Sequence, residues 1–336
     1  MGVMNAPGTT QIPVDHVSAA HVAARTARTA ATVIGLPGPL PDRAAVVASE
    51  LASNLDKHAW DGAVYVQPLL LGTGIDVTAV DRGPGMADPD RCLTDGHTTT
   101  GTLGVGLGAV RRMATEFVIS SAPGDGTLVS ARLRAPNDPA RARLDLGHFV
   151  LPAEGEVRSG DLAAAAETAT GEWTLLLADG LGHGAPAADA AAAAEQAFRR
   201  DPARPLPVLM SALHTELRHT RGAAVVLARL SSRGVSFCGT GNISGVVLTG
   251  TRNHHLLSAP GVVGLRAGRP HQHDVPALPG STLVLHTDGL DHHWLLGPPA
   301  PPHPSAQLVA ARLLRDHRVP ADDAGVLVAR LPESLP

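Results

Sequence analysis

The chain has 336 residues, of which 44% are hydrophobic, and a formal net charge of −4. This is about twice the usual length of one domain, so we expect two domains that each bury a core. The 27 basic residues are scattered rather than clustered, which argues against nucleic acid or an anionic membrane as a partner.

The first half alternates helical and strand patterns. Apolar spacing predicts a first helix that ends before Gly35 and Pro37, and a second helix with Asp42 as its N-cap. A long polar loop then covers residues 83–101, and a loop of this length is typical of a functional lid or a disordered segment. The predicted helices are 15–34, 42–59 and one opening near Gly104, and the predicted strands are 64–71, 75–80, 117–120 and 127–134.

The second half is richer in strands. Six short apolar segments are predicted strands, at 144–151, 173–178, 223–230, 235–240, 243–248 and 281–286. Two helices are predicted at 186–199 and 205–218, and a last helix and strand at 305–316 and 325–331. Strands with helices bunched between them indicate two sheets with helices outside. We therefore predict an α+β protein with domains over 12–136 and 145–332 and a linker at 137–144, next to the proline-rich, polar segment 135–140.

The cellular compartment is predicted from features that the sequence lacks. The N-terminus has no basic start followed by an apolar core, and no stretch approaches the roughly 18 apolar residues of a membrane span. Cys92 and Cys238 lie in different halves without CxxC spacing, so neither a disulfide framework nor a zinc site is indicated. These features predict a cytoplasmic protein.

The second predicted helix carries a candidate magnesium and phosphate site. Glu50, Asn54 and His58 follow at steps of four residues and Lys57 lies beside them, so a carboxylate, an amide and a cation share roughly one face. The amide oxygen of Asn54 is a reasonable magnesium ligand, and Glu50 could orient or deprotonate an attacking hydroxyl. Taken alone, the same pattern also fits a solvated polar helix face.

Two glycine-rich segments follow this helix in the sequence. Asp81 ends a predicted strand and is followed by Gly83 and Gly85, so its carboxylate could accept from the exocyclic amine of adenine while the glycines let the backbone approach the ring. The segment from Gly101 to Gly108 has four glycines and leads into a helix, so it offers backbone N–H groups to a polyphosphate.

In this order the three segments resemble the N, G1 and G2 boxes of the GHKL ATPases, and more narrowly those of the anti-sigma-factor serine kinases and related switch kinases. The pair Gly126-Thr127 matches their closing glycine-threonine strand. The resemblance implies a mixed sheet backed by helices, ATP with Mg²⁺, and phosphoryl transfer to a serine or threonine of a partner protein. It covers nearly all of residues 15–134.

The family roles carry over by position. Glu50 matches the base, Asn54 the magnesium ligand and Asp81 the adenine contact. Lys57 and His58 either touch phosphate or cap and pack the helix. The remaining nucleotide-binding positions implied by the resemblance are Gly83, Gly85, Gly101, Gly104, Gly106, Gly108 and Thr127. No phosphoacceptor histidine box lies upstream, which disfavours a sensor histidine kinase.

The second half has carboxylates at strand ends or beside glycine, namely Asp161, Asp179, Asp288 and the pair Asp322-Asp323. Such carboxylates can bridge two divalent metals about 3.5–4 Å apart, which activate water for attack on a phosphate monoester. The carbonyl of Gly180 is also acceptable to a hard cation. A single Asp-Gly pair is usually only a turn, so the inference depends on the set.

Taken together, GD, LLADGLGHG, HTDGL and DD resemble the PPM-type phosphatases, in particular the stage II sporulation protein E branch. GTGNISG at 239–245 matches a glycine-rich turn of that branch. The resemblance implies a double β-sandwich flanked by helices, with Mn²⁺ or Mg²⁺ between the sheets. Asp179, the implied catalytic metal ligand, and Gly180 would bridge the metals, and Asp161, Asp288 and Asp322 would complete the site.

Some positions stay open at this level. Spacing does not separate Asp322 from Asp323, although we prefer Asp322. Gly325 stands where such enzymes often have threonine. His183 could contact substrate phosphate. The pairs His254-His255, His271/His273 and His292-His293 lack metal-ligand spacing and are assigned to the surface or to packing.

Together the two resemblances imply one chain that both adds and removes a phosphoryl group. The implied substrates are anti-sigma antagonists of the STAS class. Two alternatives remain: a phosphatase whose N-terminal domain only senses nucleotide or binds a sigma factor, and a non-catalytic scaffold. Related kinases dimerise, so a homodimer is among the expectations, although no interface can be read from the sequence.

Overall fold

The structure is a computed structural model that describes residues 8–93, 106–136, 138, 144–249, 252–277, 279–296 and 305–331. The chain divides into two compact units, Met1–Ala142 with Pro302–Arg315 and Arg143–Pro301 with Asp316–Pro336. The segment 302–315, which we expected in the second domain, therefore clusters with the first unit. Over the described ranges, every helix is too short or too polar to cross a membrane.

The first unit has helices on one face of a five-stranded sheet. Its strands run in the order β1-β2-β3-β5-β4, and every described pair is antiparallel, unlike the mixed sheet that the GHKL resemblance implies. Its helices are α1 (Ala19–Val33), α2 (Leu40–His58), α3 (Pro89–Cys92) and α4 (Gly106–Met113). Its strands are β1 (Thr10–Val14), β2 (Gly62–Pro68), β3 (Gly74–Val80), β4 (Glu116–Ala122) and β5 (Gly126–Arg134).

The core of the first unit forms where helix α1 presents one stripe of small residues. Ala19, Ala23, Ala27 and Ala31 recur every four residues and are buried, which lets α1 and α2 approach closely. The sheet supplies Ile75 and its neighbours at alternate positions of β3. This packing fixes helix α2, which carries the candidate magnesium ligand, against the sheet.

Helix α2 starts at Leu40, so the prediction of Asp42 as its N-cap is wrong. Pro39 precedes the helix and Leu40-Pro41 open it, because proline is compatible with the first turn. Asp42 lies within that turn and pairs with Arg28 at 2.9 Å.

The other face of this sheet carries a buried ionic network. Asp76 is fully buried and accepts hydrogen bonds from Ser130 Oγ at 2.8 Å and Arg132 Nε at 2.9 Å. Within the same unit, Gln307 Nε2 donates to Thr78 Oγ1 at 3.3 Å. Gln307 thus supplies a polar partner to the sheet face opposite helices α1 and α2.

The second unit contains two five-stranded antiparallel sheets, ordered β15-β10-β9-β8-β7 and β12-β11-β16-β17-β6. The strands of the first sheet are β7 (Asp161–Glu167), β8 (Trp173–Gly180), β9 (Ala223–Ser231), β10 (Gly234–Thr240) and β15 (His273–Val275). Those of the second are β6 (Asp145–Leu151), β11 (Ser244–Leu248), β12 (Asn253–Leu256), β16 (Thr282–His286) and β17 (Ala324–Arg330). A small hairpin joins β13 (Gly261–Val262) to β14 (Arg266–Ala267).

The two sheets form a sandwich, since β17 contacts both β7 and β8. Helices α5 (Ala185–Arg200) and α6 (Leu206–Glu216) cover the first sheet, where Phe198 and Leu209 pack on Leu176 and Val225. Helix α7 (Ala306–His317) begins in the segment that clusters with the first unit and leads towards β17. The predicted double β-sandwich flanked by helices is confirmed.

Candidate functional site

The predicted carboxylates of the second unit meet at one end of the sandwich. Asp161 starts β7 and Asp179 lies opposite it near the end of β8, as direct register partners. Asp288 follows β16 by two residues, and Asp322 and Asp323 immediately precede β17. Because antiparallel strands bring the start of one beside the end of the next, residues far apart in sequence reach one acidic centre.

Asp161 has the environment of a metal ligand. It is 4% exposed, and its Oδ2 accepts a 2.7 Å hydrogen bond from Thr287 Oγ1. Its Oδ1 is buried and has no hydrogen-bond partner among the described atoms. A buried carboxylate oxygen without a donor is costly unless a cation completes its surroundings, so this atom fits a divalent metal.

The electrostatics of the acidic centre also fit a cation. Burial, followed by the charges of Asp288, Asp322 and Asp323, raises the pKa of Asp179 to about 7. Burial and Asp179 raise the pKa of Asp161 well above its usual range. Burial and Asp322 raise the pKa of Asp288. Carboxylates that disfavour one another's ionisation are stabilised when positive charge is placed between them.

Over the described residues, no three histidine, cysteine, aspartate or glutamate side chains converge tightly enough to hold an ion unaided. Mg²⁺ itself keeps several waters and takes one or two carboxylates per ion. The carbonyl oxygen of Gly180 lies at the same place, since a Cβ on Gly160 would lie 3.4 Å from Gly180 O and 2.9 Å from Asp323 Oδ2. The donor set fits hydrated Mg²⁺ or Mn²⁺ rather than a closed zinc site.

Asp322 and Asp323 have different surroundings. Asp323 is 3% exposed, and its two oxygens accept from Ala153 N and Gly160 N, each at 2.8 Å. Asp322 is half-buried and uses Oδ1 to accept from Asp323 N at 2.9 Å. Asp323 therefore ties two loops together, whereas Asp322 keeps an oxygen for a metal, which favours our preference for Asp322.

This difference gives a prediction for matched variants. Asp322→Asn should weaken Mn²⁺ binding by about tenfold or more without destabilising the metal-free chain, because an amide oxygen can still accept from Asp323 N and a charge that raises the pKa of Asp179 and Asp288 is removed. Asp323→Asn should instead lower the free energy of unfolding by about 1–3 kcal/mol, because an amide NH₂ replaces one acceptor of a backbone N–H. Calorimetric titration and thermal melts in chelator measure the two effects. Equal losses of metal affinity would contradict the assignment.

Three residues that contact predicted site residues were either not predicted from the sequence or were given another role. Thr287 orients Asp161, and its Oγ1 also accepts from Gly325 N at 2.9 Å. Asn242, in the turn that we took as a family signature, donates from Nδ2 to Asp288 Oδ2 at 2.7 Å. Glu156 pairs with His183 at 2.7 Å. The sequence signals for these roles are the place of Thr287 directly before Asp288 in the HTDG motif and the place of Asn242 in GTGNISG.

In the first unit, Asp81, the predicted adenine contact, directly follows strand β3. It is 6% exposed, and its Oδ1 accepts from Gly83 N at 2.7 Å and Thr127 N at 3.2 Å. Burial raises the pKa of Asp81, while these N–H bonds and Arg315 oppose that rise. Ser121 Oγ lies 2.9 Å from Thr127 Oγ1 and accepts from Met86 N, so the predicted adenine loop is held at several points.

Asn54 and Gly106 face each other between helices α2 and α4. A Cβ on Gly106 would lie 3.2 Å from Asn54 Oδ1, and Asn54 Nδ2 is a buried donor with no partner among the described atoms. A polar ligand such as a phosphate oxygen would satisfy it. Glu50 is half-buried four residues earlier, and Lys57 and His58 are exposed in the last turn. The positions of Gly101 and Gly104 lie outside the described residues.

Residues 169–332 match the family model described as stage II sporulation protein E. This stretch is a stage II sporulation protein E domain. The match begins just before β8 and ends just after β17, so it includes Asp179, Asp288 and Asp322. Asp161 lies just outside the matched range and joins the site through its pairing with Asp179.

Solved structures share the fold of this domain. The PP2C phosphatase domain of SpoIIE from Bacillus subtilis, with a fragment of its regulatory domain, is 14% identical with a TM-score of 0.50, covering 81% of this chain and 82% of that one. RsbX in complex with magnesium is 20% identical with a TM-score of 0.50, covering 57% of this chain and 96% of that one. A chain from the bacterial stressosome is 26% identical with a TM-score of 0.50, covering 56% of this chain and 99% of that one.

The N-terminal unit is similar to a kinase. The serine/threonine-protein kinase RsbT of Bacillus subtilis (strain 168) is 36% identical over 85 residues, or 25% of this chain. The match spans 64% of that kinase's length. The resemblance to a switch serine kinase is thus confirmed as similarity to RsbT, and the sporulation-phosphatase resemblance is confirmed by the family model.

Proposed function

We propose that the chain is a metal-dependent phosphoprotein phosphatase of the partner-switching type. The observation that carries the proposal is the buried, unpartnered Oδ1 of Asp161 beside Asp179, whose pKa is raised to about 7. The stage II sporulation protein E match and the magnesium complex of RsbX support it. Two divalent cations at this centre would activate water and neutralise the phosphate during in-line attack.

The chain's own residues have separable roles in this proposal. Asp179, Gly180, Asp161, Asp288 and Asp322 would hold the cations. Thr287 fixes Asp161, and Asn242 fixes one oxygen of Asp288, so the ligands are oriented before substrate arrives. Asp323 keeps the loops at Ala153 and Gly160 in place.

The proposed phosphatase can be tested with a generic aryl phosphate. Turnover by the purified chain should appear with Mn²⁺ and vanish with chelator. Absence of turnover from a folded chain that binds Mn²⁺, on both the aryl phosphate and phosphorylated STAS-type proteins, would overturn it. The substrate class is the one that the two sequence resemblances imply, and both activities suit the cytoplasm, where ATP is available.

The N-terminal unit is proposed to transfer phosphate from ATP to a serine or threonine of the same class of partner. The support is the similarity to RsbT together with the unpartnered Nδ2 of Asn54 and the buried Asp81 carboxylate, which Gly83 N holds in place. Here Asn54 would hold Mg²⁺, Asp81 would accept from adenine, and Glu50 would take the proton of the attacking hydroxyl.

We expect Glu50→Gln to lower phosphoryl transfer from ATP by about 100-fold or more, since a general base contributes that much, while ATP affinity stays within about twofold. Labelled ATP with a panel of STAS-type proteins measures transfer, and calorimetry measures affinity. Asp56→Asn, which removes an exposed carboxylate from the same helix, is the control. A wild-type chain that binds ATP without transfer would instead identify a nucleotide-sensing unit.

A further inference from the structure

Arg221 lies on a turn that is held rigidly beside the acidic centre. The turn precedes β9, and its residue Thr220 uses Oγ1 to accept from Gly222 N at 3.0 Å and to donate to Leu217 O at 2.7 Å. Gly222 has φ of +79°, and a Cβ there would lie 2.7 Å from Val263 O. Backbone packing therefore fixes the point from which Arg221 projects.

The guanidinium of Arg221 reaches the loop that carries the bridging residues. A Cβ on Gly182 would lie 3.2 Å from Arg221 Nη1. Leu181 N also donates to Gly222 O at 3.0 Å, which joins the two backbones. Gly182 follows Asp179 by three residues, so Arg221 places a positive group beside the segment that leads away from the acidic centre.

Arg221 also differs from the neighbouring cations in its pairing. Among the residues that the structure describes, no carboxylate lies within ion-pair distance of Arg221, and its side chain is exposed. By contrast, His183 pairs with Glu156 at 2.7 Å and Arg158 with Asp189 at 3.0 Å. One guanidinium near the centre is therefore left for an anion from outside the chain.

We propose that Arg221 binds the phosphoryl oxygens of the phosphomonoester substrate. This inference rests on the proposed phosphatase function and adds a substrate-binding residue to it. A guanidinium offers a planar fork of N–H donors that matches two phosphate oxygens, whereas the carboxylates of the centre would repel a dianion. Arg221 thus gives the acidic centre a direct contact to substrate that depends on neither aspartate nor metal.

The test compares Arg221→Gln and Arg221→Lys with the control Arg218→Gln, which removes an exposed arginine three residues earlier. The KM for the aryl phosphate with Mn²⁺ should rise by about tenfold or more in Arg221→Gln, with a smaller change in kcat. Arg221→Lys should recover part of the loss, and Arg218→Gln should match the wild type. Binding of inorganic phosphate to the Mn²⁺-loaded chain, measured by calorimetry, should weaken in the same order.

The outcomes separate this inference from the phosphatase proposal. Loss of phosphate binding in Arg221→Gln supports the proposed role of Arg221, even if the wild type shows no turnover. An absence of turnover would count only against the phosphatase proposal. Equal phosphate affinity in the wild type and Arg221→Gln, or no phosphate binding by the wild type, overturns the inference. Loss of the Mn²⁺-induced thermal shift in Arg221→Gln overturns it as well, since the residue would then support the metal site.

Discussion

Asp179→Asn is expected to lower Mn²⁺-dependent turnover by about 100-fold or more and, in chelator, to make the chain more stable than the wild type. The loss of turnover follows from removing the carboxylate proposed to bridge the metals. The gain in stability follows from burial and from Asp288, Asp322 and Asp323, which raise the pKa of Asp179 to about 7. An uncharged amide removes that repulsion.

The raised pKa of Asp179 also fixes the direction in which the free energy of unfolding changes with pH. Unfolded aspartate has a pKa near 3.9, so between about pH 4 and 7 the folded metal-free chain binds more protons than the unfolded one. Its free energy of unfolding should therefore fall as pH rises through this window, by an amount on the order of a few kcal/mol. Asp179→Asn should show a flatter profile.

Scanning calorimetry in chelator at pH 5.5 and pH 8, repeated with Mn²⁺, measures both effects. Mn²⁺ should raise the melting temperature of the wild type far more than that of Asp179→Asn. The control is Asp189→Asn, which removes an exposed carboxylate from α5. A metal-free variant less stable than the wild type at pH 8 would contradict the repulsion argument.

Gly85→Ala is expected to lower the free energy of unfolding of the first unit by about 2–4 kcal/mol and to weaken ATP binding by about tenfold or more. Gly85 has φ of +69°, and a Cβ there would lie 1.9 Å from Ala122 O. The clash would displace the turn after Asp81 from the start of β5, where Thr127 donates to Asp81.

Gly124→Ala is a close control for this change. Gly124 also has a positive φ, +79°, but a Cβ there would meet nothing within 4 Å, so only the backbone cost of about 1 kcal/mol applies. Its N–H donates to Pro84 O at 2.8 Å, which places it in the same neighbourhood. Denaturant unfolding and calorimetry with ATP compare the variants. Similar losses in both would show that φ, and not the contact with Ala122, governs this turn.

The sequence predicted the carboxylates of the centre because each has a local signal, an aspartate at a strand end or beside glycine. Thr287 and Asn242 have weaker signals, since their roles depend on which distant strands pair. Arg221 has none, because its proximity to Gly182 arises from the pairing of β8 with β9.

The missed secondary structure has similar causes. Strand β7 contains four consecutive alanines, whose intrinsic preference is helical, and it is a strand because it pairs with β8 over its whole length. The strands β13, β14 and β15 have two or three residues each, too few for a periodic pattern to appear. Long apolar strands such as β9, by contrast, were predicted nearly to their ends.

Grouping the segment Pro302–Arg315 with the first unit affects how the chain can be divided for experiments. Arg312 pairs with Asp125 at 2.6 Å, and Arg315 donates to the carbonyl oxygens of Asp81 at 3.1 Å and Asp125 at 2.6 Å. The chain crosses between the units three times, after Ala142, Pro301 and Arg315. A fragment ending at residue 142 would therefore lack two guanidinium groups that brace the Asp81 loop, and no single cut yields both units whole.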